Sequence, residues 1–298
     1  QPGRVSADTK TYLFLNPGEL LSEAPSLWSS SVGAGTVTHQ YIGYLWPMGP
    51  YFWLMDTIGF PDWLAQRFWW GSLIFLASLG TYRLGRALGI HQNFALIAAL
   101  MYALSPYGLH YLARLSGILL PWVGFPWLLL CLIRRRQQPS WKWLARAVLI
   151  IGTIGTVNAT TLFFIILGLA IWLTADALSG FSRWRDSAKT FFLLGIGSVG
   201  VSLWWLTSLV MQSAYGLPIL RYSETYETVA KASLPHELLR GLGYWYFYGE
   251  EYAGRWIGPS GPFIYSRIVI TAGFFLVAVG LVSLCATKVP YRLSLIHI

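Results

Sequence analysis

Seven apolar stretches, each about as long as a membrane span, recur along this 298-residue chain. An α-helix needs about 17–25 mostly apolar residues to cross the hydrocarbon core. Hydrophobic residues make up 55% of the chain and charged residues only 11%, against about 25% charged in an ordinary soluble domain. The sequence therefore predicts an all-α polytopic membrane protein. The predicted spans are residues 68–84, 93–108, 117–133, 143–158, 161–177, 190–211 and 268–287.

The clusters of lysine and arginine at the ends of these spans fall in alternate connecting segments, which indicates the orientation of the chain. Basic residues in short loops concentrate on the cytoplasmic side of membrane proteins. The other side then receives residues 1–67 and 212–267, together with all the acids except Asp176 and Asp186. We therefore expect the chemistry on the extracytoplasmic side of a plasma membrane. The basic segments are residues 83–86, 134–142, 183–189 and 288–292.

The spans and their orientation divide the chain into five segments. Because residues 1–67 start outside the membrane, we expect a further span upstream, and we expect the last six residues to be a truncated or artefactual tail. The segments are a first extracytoplasmic loop with interfacial helices (1–67), a six-span membrane core (68–211), a second extracytoplasmic loop (212–267), a last span with a cytoplasmic turn (268–292) and the tail (293–298).

The net charge of +9 does not indicate a nucleic-acid partner. Its basic residues follow the membrane topology and suit anionic lipid headgroups, so membrane lipids are the predicted partners of this charge. Cys131 and Cys285 lie inside predicted spans and form neither a disulfide framework nor a metal-ligand spacing. No metal site is predicted from the cysteines.

Asp8 lies in a polar run, residues 6–10, within the first extracytoplasmic loop. A charged group beside a membrane is costly to desolvate and therefore indicates a functional site. The alternative is that Asp8 caps a short helix over residues 9–15. Residues 16–18, Asn-Pro-Gly, predict a turn that ends this helix, and residues 29–35 are predicted to be flexible.

Residues 41–55 carry six aromatic side chains among fifteen positions, interrupted by prolines. This segment is too broken to span and is predicted to lie in the membrane interface, where Trp and Tyr are common. Two roles fit the aromatic residues, an interfacial belt or a groove for a prenyl chain or a sugar face. The candidates for the groove are Tyr44, Trp46, Tyr51 and Trp53.

The second extracytoplasmic loop holds the other concentration of polar residues. Residues 244–248 are all aromatic, and Glu250 and Glu251 follow at once. Ring faces pack on sugar carbons while carboxylates accept sugar hydroxyls, so Glu250 or Glu251 is a candidate for substrate contact, ahead of Glu227 and Glu237. Solvated ion pairs explain most of these charges equally well.

Four phrases in the first loop resemble one known family. The phrases are GRVSADTKTYL at residues 3–13, VGAGTVTHQ at 32–40, GYLWPMGP at 43–50 and PDWLAQR at 61–67. They resemble the N-terminal membrane region of actinobacterial alpha-(1→3)-arabinofuranosyltransferases of the AftD type, and the likeness extends to about residue 292.

The resemblance implies a glycosyltransferase of the GT-C architecture, a helical bundle with two long outer loops. It implies transfer of arabinofuranose from a polyprenyl-phosphate donor to a cell-wall arabinan acceptor on the outer face of the plasma membrane. Such enzymes place the catalytic acid in the first outer loop, and Asp8 stands at the matching place. Ala7 and Thr9 flank it, so the familiar paired acids are absent and the need for a divalent metal stays open.

This chemistry requires few groups. The acceptor hydroxyl is a weak nucleophile, so a carboxylate within hydrogen-bond reach accepts its proton as the new bond forms, and Asp8 is the predicted general base. The lipid-phosphate leaving group gains charge and needs cationic donors, and a single displacement predicts inversion. The predicted substrate-binding residues are Lys10, His39, Gln40, Tyr44, Arg67, Arg114, Arg221, Glu250, Glu251 and Arg255.

Structural roles remain open for several of these residues. His39 fits a structural hydrogen-bonding role, and Arg67 and Arg114 lie near span ends, where basic side chains often anchor a helix by reaching to the interface. Two other function classes also remain. A lipid-linked sugar transporter should carry polar or charged residues near the middle of its spans and often an internal repeat, whereas the interiors of these spans contain almost no ionisable residue and the sequence shows no repeat. A non-catalytic scaffold or glycan-binding component is the other alternative.

Overall fold

A computed structural model describes residues 2–6, 8, 12–30, 34–37, 42–112, 114–216, 225–232, 235–242 and 261–285. Nearly all of the regular structure in these residues is helical. The chain forms two compact units. The first comprises Gln1–Leu104 and Gly108–Leu217, and the second comprises Ser105–Tyr107 and Pro218–Ile298.

The N-terminal part of the first unit consists of short elements. The first short helix ends at Leu15, as predicted, but residues 16–18 do not form a turn: Asn16 caps the start of the next helix by accepting a hydrogen bond from the Glu19 backbone N–H, because Pro17 suits the first helical position. The predicted flexible stretch is flanked by two paired strands. The elements are α1 (Tyr12–Leu15), α2 (Pro17–Glu23), β1 (Trp28–Ser29), β2 (Thr36–Val37), a 3₁₀ helix (Ile42–Tyr44) and α3 (Met48–Thr57).

The rest of the first unit is a bundle of longer helices. Six of the seven predicted spans fall on helices of this bundle, and the seventh falls on a helix of the second unit. The helices of the bundle are α4 (Asp62–Ala87), α5 (Gln92–Ala103), α6 (Pro106–Leu112, whose first two residues belong to the second unit), α7 (Leu119–Gln137), α8 (Trp141–Ile154), α9 (Ala159–Leu178) and α10 (Trp184–Tyr215), with a second 3₁₀ helix (Ser116–Ile118) before α7.

Among the described residues, three helices are long and apolar enough to cross a membrane by themselves. They are α7 with its preceding 3₁₀ turn, α9 and α10. The predicted span over 93–108 is instead a pair of helices, α5 and α6, bent by 45°, and it counts as a fourth span if the pair crosses together. The break lies just before Pro106, which has no N–H to continue the helix.

Helix α10 has the lipid-facing pattern of a membrane protein. Phe192, Ile196, Val199 and Leu203 recur every three or four residues and are all exposed, whereas Ser198 and Ser202 are buried against the bundle. Small side chains at helix contacts let neighbouring backbones approach, and apolar side chains face lipid. The all-helical membrane fold predicted from the sequence is confirmed.

The second unit contains four described helices. Arg240 follows the second of them, and its Nη1 donates to both carboxylate oxygens of Glu237 in that helix, at 3.0 and 2.8 Å. The Arg240 guanidinium also lies 5.5 Å from the centre of the Phe274 ring. Glu237 is therefore a structural partner in this unit. The helices are α11 (Tyr226–Ala232), α12 (Pro235–Leu239), α13 (Gly261–Tyr265) and α14 (Arg267–Cys285).

Candidate active site

The first turns of α4 form one wall of the candidate site. This helix starts at Asp62, before the predicted span at residue 68, because Pro61 and an acidic first turn are good helix-start signals. Gln66, Trp69 and Trp70 lie three and four positions apart, so they share a face. Gln66 and Trp69 are buried, at 0% and 6% exposure. The part of α4 before residue 68 therefore carries the polar side chain of Gln66 on a helix, where the sequence predicted a loop.

Asp8 is the carboxylate at this wall, and it is 4% exposed. Its Oδ1 accepts a hydrogen bond from the Ser116 backbone N–H at 2.8 Å. Its Oδ2 accepts from the Trp70 indole N–H at 3.1 Å and from the Ser116 hydroxyl. The alternative that Asp8 caps a helix over residues 9–15 depends on residues 9–11, which lie outside the described residues; the described helix α1 begins at Tyr12.

Ser116 connects the carboxylate to a second indole. It is fully buried at the start of the 3₁₀ helix that leads into α7. Its hydroxyl accepts a hydrogen bond from the Trp69 indole N–H at 3.1 Å and donates its own proton to Asp8. Hydrogen bonds in such a chain polarise one another. The chain from Trp69 through Ser116 therefore fixes the orientation of the Asp8 carboxylate.

The backbone on the N-terminal side of Asp8 is fixed by Gln66. The Ser6 N–H donates to Gln66 Oε1 at 2.8 Å, and the Gln66 amide donates to the Ser6 carbonyl at 2.9 Å. The Gln66 side-chain amide thus pairs with the Ser6 backbone as the backbone of a neighbouring strand would. The Asp8 N–H also donates to the Ser6 carbonyl, at 2.7 Å. The segment that carries the carboxylate is thus anchored to α4 by a buried side chain.

Arg67 supports the same segment. Its guanidinium donates to Gln66 Oε1 at 2.7 Å and to the Arg4 carbonyl at 3.0 Å. It also lies 4.6 Å from the centre of the Trp70 ring, a favourable cation–π distance. Arg67 therefore contacts the groups that hold Asp8, which the anchoring alternative at a span end does not explain.

Tyr44 is the aromatic candidate that the structure brings beside the carboxylate. It is buried in the first 3₁₀ helix, at 5% exposure. Burial, followed by the charge of Asp8, raises the pKa of the Tyr44 phenol well above its ordinary value. Tyr44 is therefore a neutral phenol at neutral pH.

The other three aromatic candidates of the first loop lie differently. Trp46 and Trp53 are exposed, as expected for interfacial rings. The Tyr51 hydroxyl donates to the Ala65 carbonyl at 3.0 Å, and its ring lies 5.2 Å from that of Trp69. Tyr51 therefore packs behind the wall of the site.

Arg114 lies two residues before Ser116 and is half-buried. Its backbone N–H donates to the Tyr111 carbonyl at 3.2 Å. The remaining predicted substrate-binding residues are not among those described. These are Lys10, His39, Gln40, Arg221, Glu250, Glu251 and Arg255.

Sequence reasoning missed four residues of the site, Gln66, Trp69, Trp70 and Ser116. Gln66 belonged to the quoted PDWLAQR phrase, so the resemblance carried a signal for it. Trp70 was assigned to a membrane span and Ser116 to a short turn. Both lie among similar residues, so no local sequence signal marks either of them. Within the described part of the chain, His, Cys, Asp and Glu side chains form no group of three or more that could hold a metal ion.

A buried carboxylate fixed at one end of a helical membrane bundle fits the architecture that the sequence resemblance implied. The chain belongs to the family of N-terminal GT-C domains of alpha-(1→3)-arabinofuranosyltransferases, whose family model matches residues 1–298. The predicted family is confirmed.

Curated relatives include two mycobacterial alpha-(1→3)-arabinofuranosyltransferases. The protein of Mycolicibacterium smegmatis is 32% identical over 298 residues, and that of Mycobacterium tuberculosis is 29% identical over 296 residues. These matches cover 99% and 98% of this chain but 20% of each relative. A cryo-EM structure of arabinofuranosyltransferase AftD from mycobacteria is similar with a TM-score of 0.75 at 28% identity, covering 98% of this chain and 20% of that one.

Proposed function

We propose that this chain is the membrane part of an inverting arabinofuranosyltransferase and that Asp8 is its general base. The donor is a polyprenyl-phosphate arabinofuranose, and the acceptor is a cell-wall arabinan on the extracytoplasmic face of a multi-pass protein. The observation that carries the proposal is the Asp8 carboxylate, fixed by Ser116 and Trp70 in a family of glycosyltransferase domains.

The reaction proceeds by a single displacement. The acceptor hydroxyl attacks the anomeric carbon, its O–H proton passes to an Asp8 oxygen, and the bond from the anomeric carbon to the lipid phosphate breaks. The electron pair of that bond leaves with the phosphate, whose charge needs cationic donors. A base contributes about 10²–10⁴-fold to such a step. Because Asp8 is held by neighbours, it loses little orientational freedom before reaction.

Arg67 acts in this proposal as a positioning residue. Two nitrogens of its guanidinium donate hydrogen bonds to the Gln66 amide oxygen and to the Arg4 carbonyl. Arg67 therefore fixes the segment that carries Asp8 and places positive charge beside Trp70. The phosphate-binding role then falls to the other predicted cations, Lys10, Arg114, Arg221 and Arg255. Tyr44, a neutral phenol beside Asp8, is suited to donate a hydrogen bond to a sugar oxygen.

The test compares Asp8→Asn with Asp56→Asn in the full-length protein. Asp56 is an exposed acid of α3 in the same N-terminal part of the chain. We expect Asp8→Asn to lower transfer from a labelled polyprenyl-phosphate arabinofuranose by at least about a hundredfold, with donor affinity unchanged within a few-fold. Asp56→Asn should transfer like the wild type. Wild-type transfer by Asp8→Asn would overturn the assignment of the base.

A non-catalytic scaffold is the second candidate, and the burial of Asp8 favours it. In that case Asp8 only fastens the N-terminal segment to α4 and to Ser116. Asp8→Asn would then lower donor binding, transfer and thermal stability together, because the amide nitrogen would face an N–H or O–H donor. The melting temperature falls under either role, because Asp8 accepts three hydrogen bonds, so it is the donor affinity measured beside transfer that separates the two functions.

A further inference from the structure

The end of α7 opposite Asp8 borders a separate, strongly charged cavity. Ser116 and Asp8 lie before the start of α7, and this helix has 19 residues, so its other end is about 27 Å away. There the last turns of α7 and α9 and the first turn of α10 enclose a cavity of about 470 Å³. The proposed glycosyl transfer at Asp8 makes no use of it.

Cations exceed acids on the wall of this cavity. Arg135, Arg136, Arg183 and Lys189 line it together with two acids, Asp176 and Asp186. Arg136 forms an ion pair with Asp176, whose side chain is 5% exposed, so this acid is already neutralised. The cavity therefore carries an excess of positive charge that its own acids do not balance.

The cations have different surroundings. Arg135 is held by donating to the Thr190 hydroxyl and to the Ser140 carbonyl, each at 3.2 Å. Arg183 and Lys189 are exposed and, among the described residues, form no ion pair. Both stand in the first turns of α10 or just before it, where the helix dipole adds positive potential. They are thus placed to take an external anion.

The aromatic residues around the cavity indicate where that anion comes from. Phe181 lines the cavity and is exposed, and Trp141 and Trp184 stand exposed at the starts of α8 and α10. Exposed Trp side chains at the ends of membrane helices lie at headgroup depth. An apolar rim beside a cationic wall matches a lipid, whose phosphate binds the cations while its acyl chains stay in the bilayer.

We propose that this cavity binds the phosphate headgroup of an anionic phospholipid. Basic pockets between membrane helices are a recognised setting for such headgroups. Arg183 and Lys189 bind the phosphate, Arg135 forms the fixed wall, and the Arg136–Asp176 pair keeps the ends of α7 and α9 together. On the topology predicted from the sequence, the lipid belongs to the cytoplasmic leaflet.

The test measures lipid preference in the full-length protein, by competition of phosphatidylglycerol and phosphatidylcholine against a fluorescent phospholipid. The test variant is Arg183→Gln with Lys189→Gln, which leaves the Arg136–Asp176 pair intact. The matched control is Arg185→Gln, an exposed cation of the same helical turn that does not line the cavity. All three proteins should melt at the same temperature in uncharged detergent.

We expect the wild type and Arg185→Gln to prefer phosphatidylglycerol, and the double variant to lose about thirtyfold of that preference. A double variant with the wild-type preference would overturn the proposal, and so would an equal loss in Arg185→Gln. The last measurement uses inorganic phosphate in place of the lipid. If millimolar phosphate alone raises the melting temperature as much as the lipid does, and lipid adds nothing further, the ligand is a soluble phosphate compound and the lipid proposal is overturned.

Discussion

The backbone N–H and the hydroxyl of Ser116 both donate to the carboxylate of Asp8, which lies 108 positions earlier in the chain. One residue thus fixes both oxygens of the carboxylate. Because Ser116 starts the 3₁₀ helix that leads into α7, the carboxylate is fixed relative to the membrane bundle and not only to its own loop.

Ser116→Ala should remove one of these two bonds and leave the other. A hydrogen bond to a charged group contributes about 1.5–3 kcal/mol, and the buried Trp69 indole N–H would also lose its acceptor. We expect lower thermal stability and a loss of transfer of up to about a hundredfold, because a carboxylate that is misplaced by 1 Å reacts poorly. Ser72→Ala is the control, since among the described residues the Ser72 hydroxyl donates a hydrogen bond only to the Phe68 carbonyl, within α4. Equal effects of the two variants would contradict the assigned role of Ser116.

Trp70→Phe tests the third donor to Asp8 separately from the aromatic ring. The variant removes the indole N–H but keeps a ring beneath the Arg67 guanidinium. We expect a fall in unfolding free energy of about 1.5–3 kcal/mol, whereas Trp70→Leu should lose about 0.5–2 kcal/mol more because the cation–π contact also goes. Thermal unfolding of the two variants measures this difference. A Trp70→Phe protein as stable as the wild type would show that the indole bond to Asp8 contributes nothing.

Gln66→Leu should release the segment that carries Asp8. The Ser6 N–H and carbonyl would each lose the hydrogen bond to Gln66, whereas the carbonyl would keep the one from the Asp8 N–H, so we expect a total cost of about 1–3 kcal/mol. Hydrogen exchange should therefore become faster across residues 4–8 and stay unchanged at α9. The control is Gln92→Leu, an exposed position at the start of α5. Unchanged exchange across residues 4–8 in Gln66→Leu would contradict the anchoring role.

The apolar stretches predicted the helices of the bundle well, because helices long enough to cross a membrane leave a clear pattern of about 17–25 mostly apolar residues. The predicted spans were wrong where a proline or a tertiary contact ends a helix inside an apolar stretch. Pro106 breaks the predicted second span into α5 and α6. The predicted fourth span ends early, at Ile154, and the following Thr156 donates its hydroxyl proton to the Trp46 carbonyl at 2.7 Å. No local pattern could predict this last contact, since it joins residues 110 positions apart.

The candidate site was only partly predictable for the same reason. Asp8 came from the family resemblance and from the cost of a charge beside a membrane. Its partner Ser116 sits in an ordinary Leu-Ser-Gly sequence and gains its role only from tertiary contact. Asn16 shows the opposite failure, because a strong turn signal, Asn-Pro-Gly, is also a strong helix start. The later residues of α2 determine whether this sequence forms a turn or starts a helix.

The Arg136–Asp176 pair should couple the ends of α7 and α9. Removing one partner of a buried pair costs about 3–5 kcal/mol, whereas replacing both by apolar residues is often nearly neutral. Arg136→Met and Asp176→Leu should each be strongly destabilising, and the double variant should recover most of the loss. Thermal unfolding of the four proteins gives the coupling energy. Asp186→Asn, an exposed acid of the same cavity, should change stability by less than about 0.5 kcal/mol. Additive losses in the double variant would contradict the coupling.

The most direct test of Asp8 as the base is a distance. It would be measured in a cryo-EM structure of the full-length protein with an arabinan acceptor and a non-transferable polyprenyl-phosphonate sugar bound. We predict that the attacking acceptor hydroxyl lies about 2.6–3.2 Å from an Asp8 carboxylate oxygen, or one water away. An acceptor hydroxyl beyond the reach of one bridging water, with another carboxylate beside it, would contradict the account.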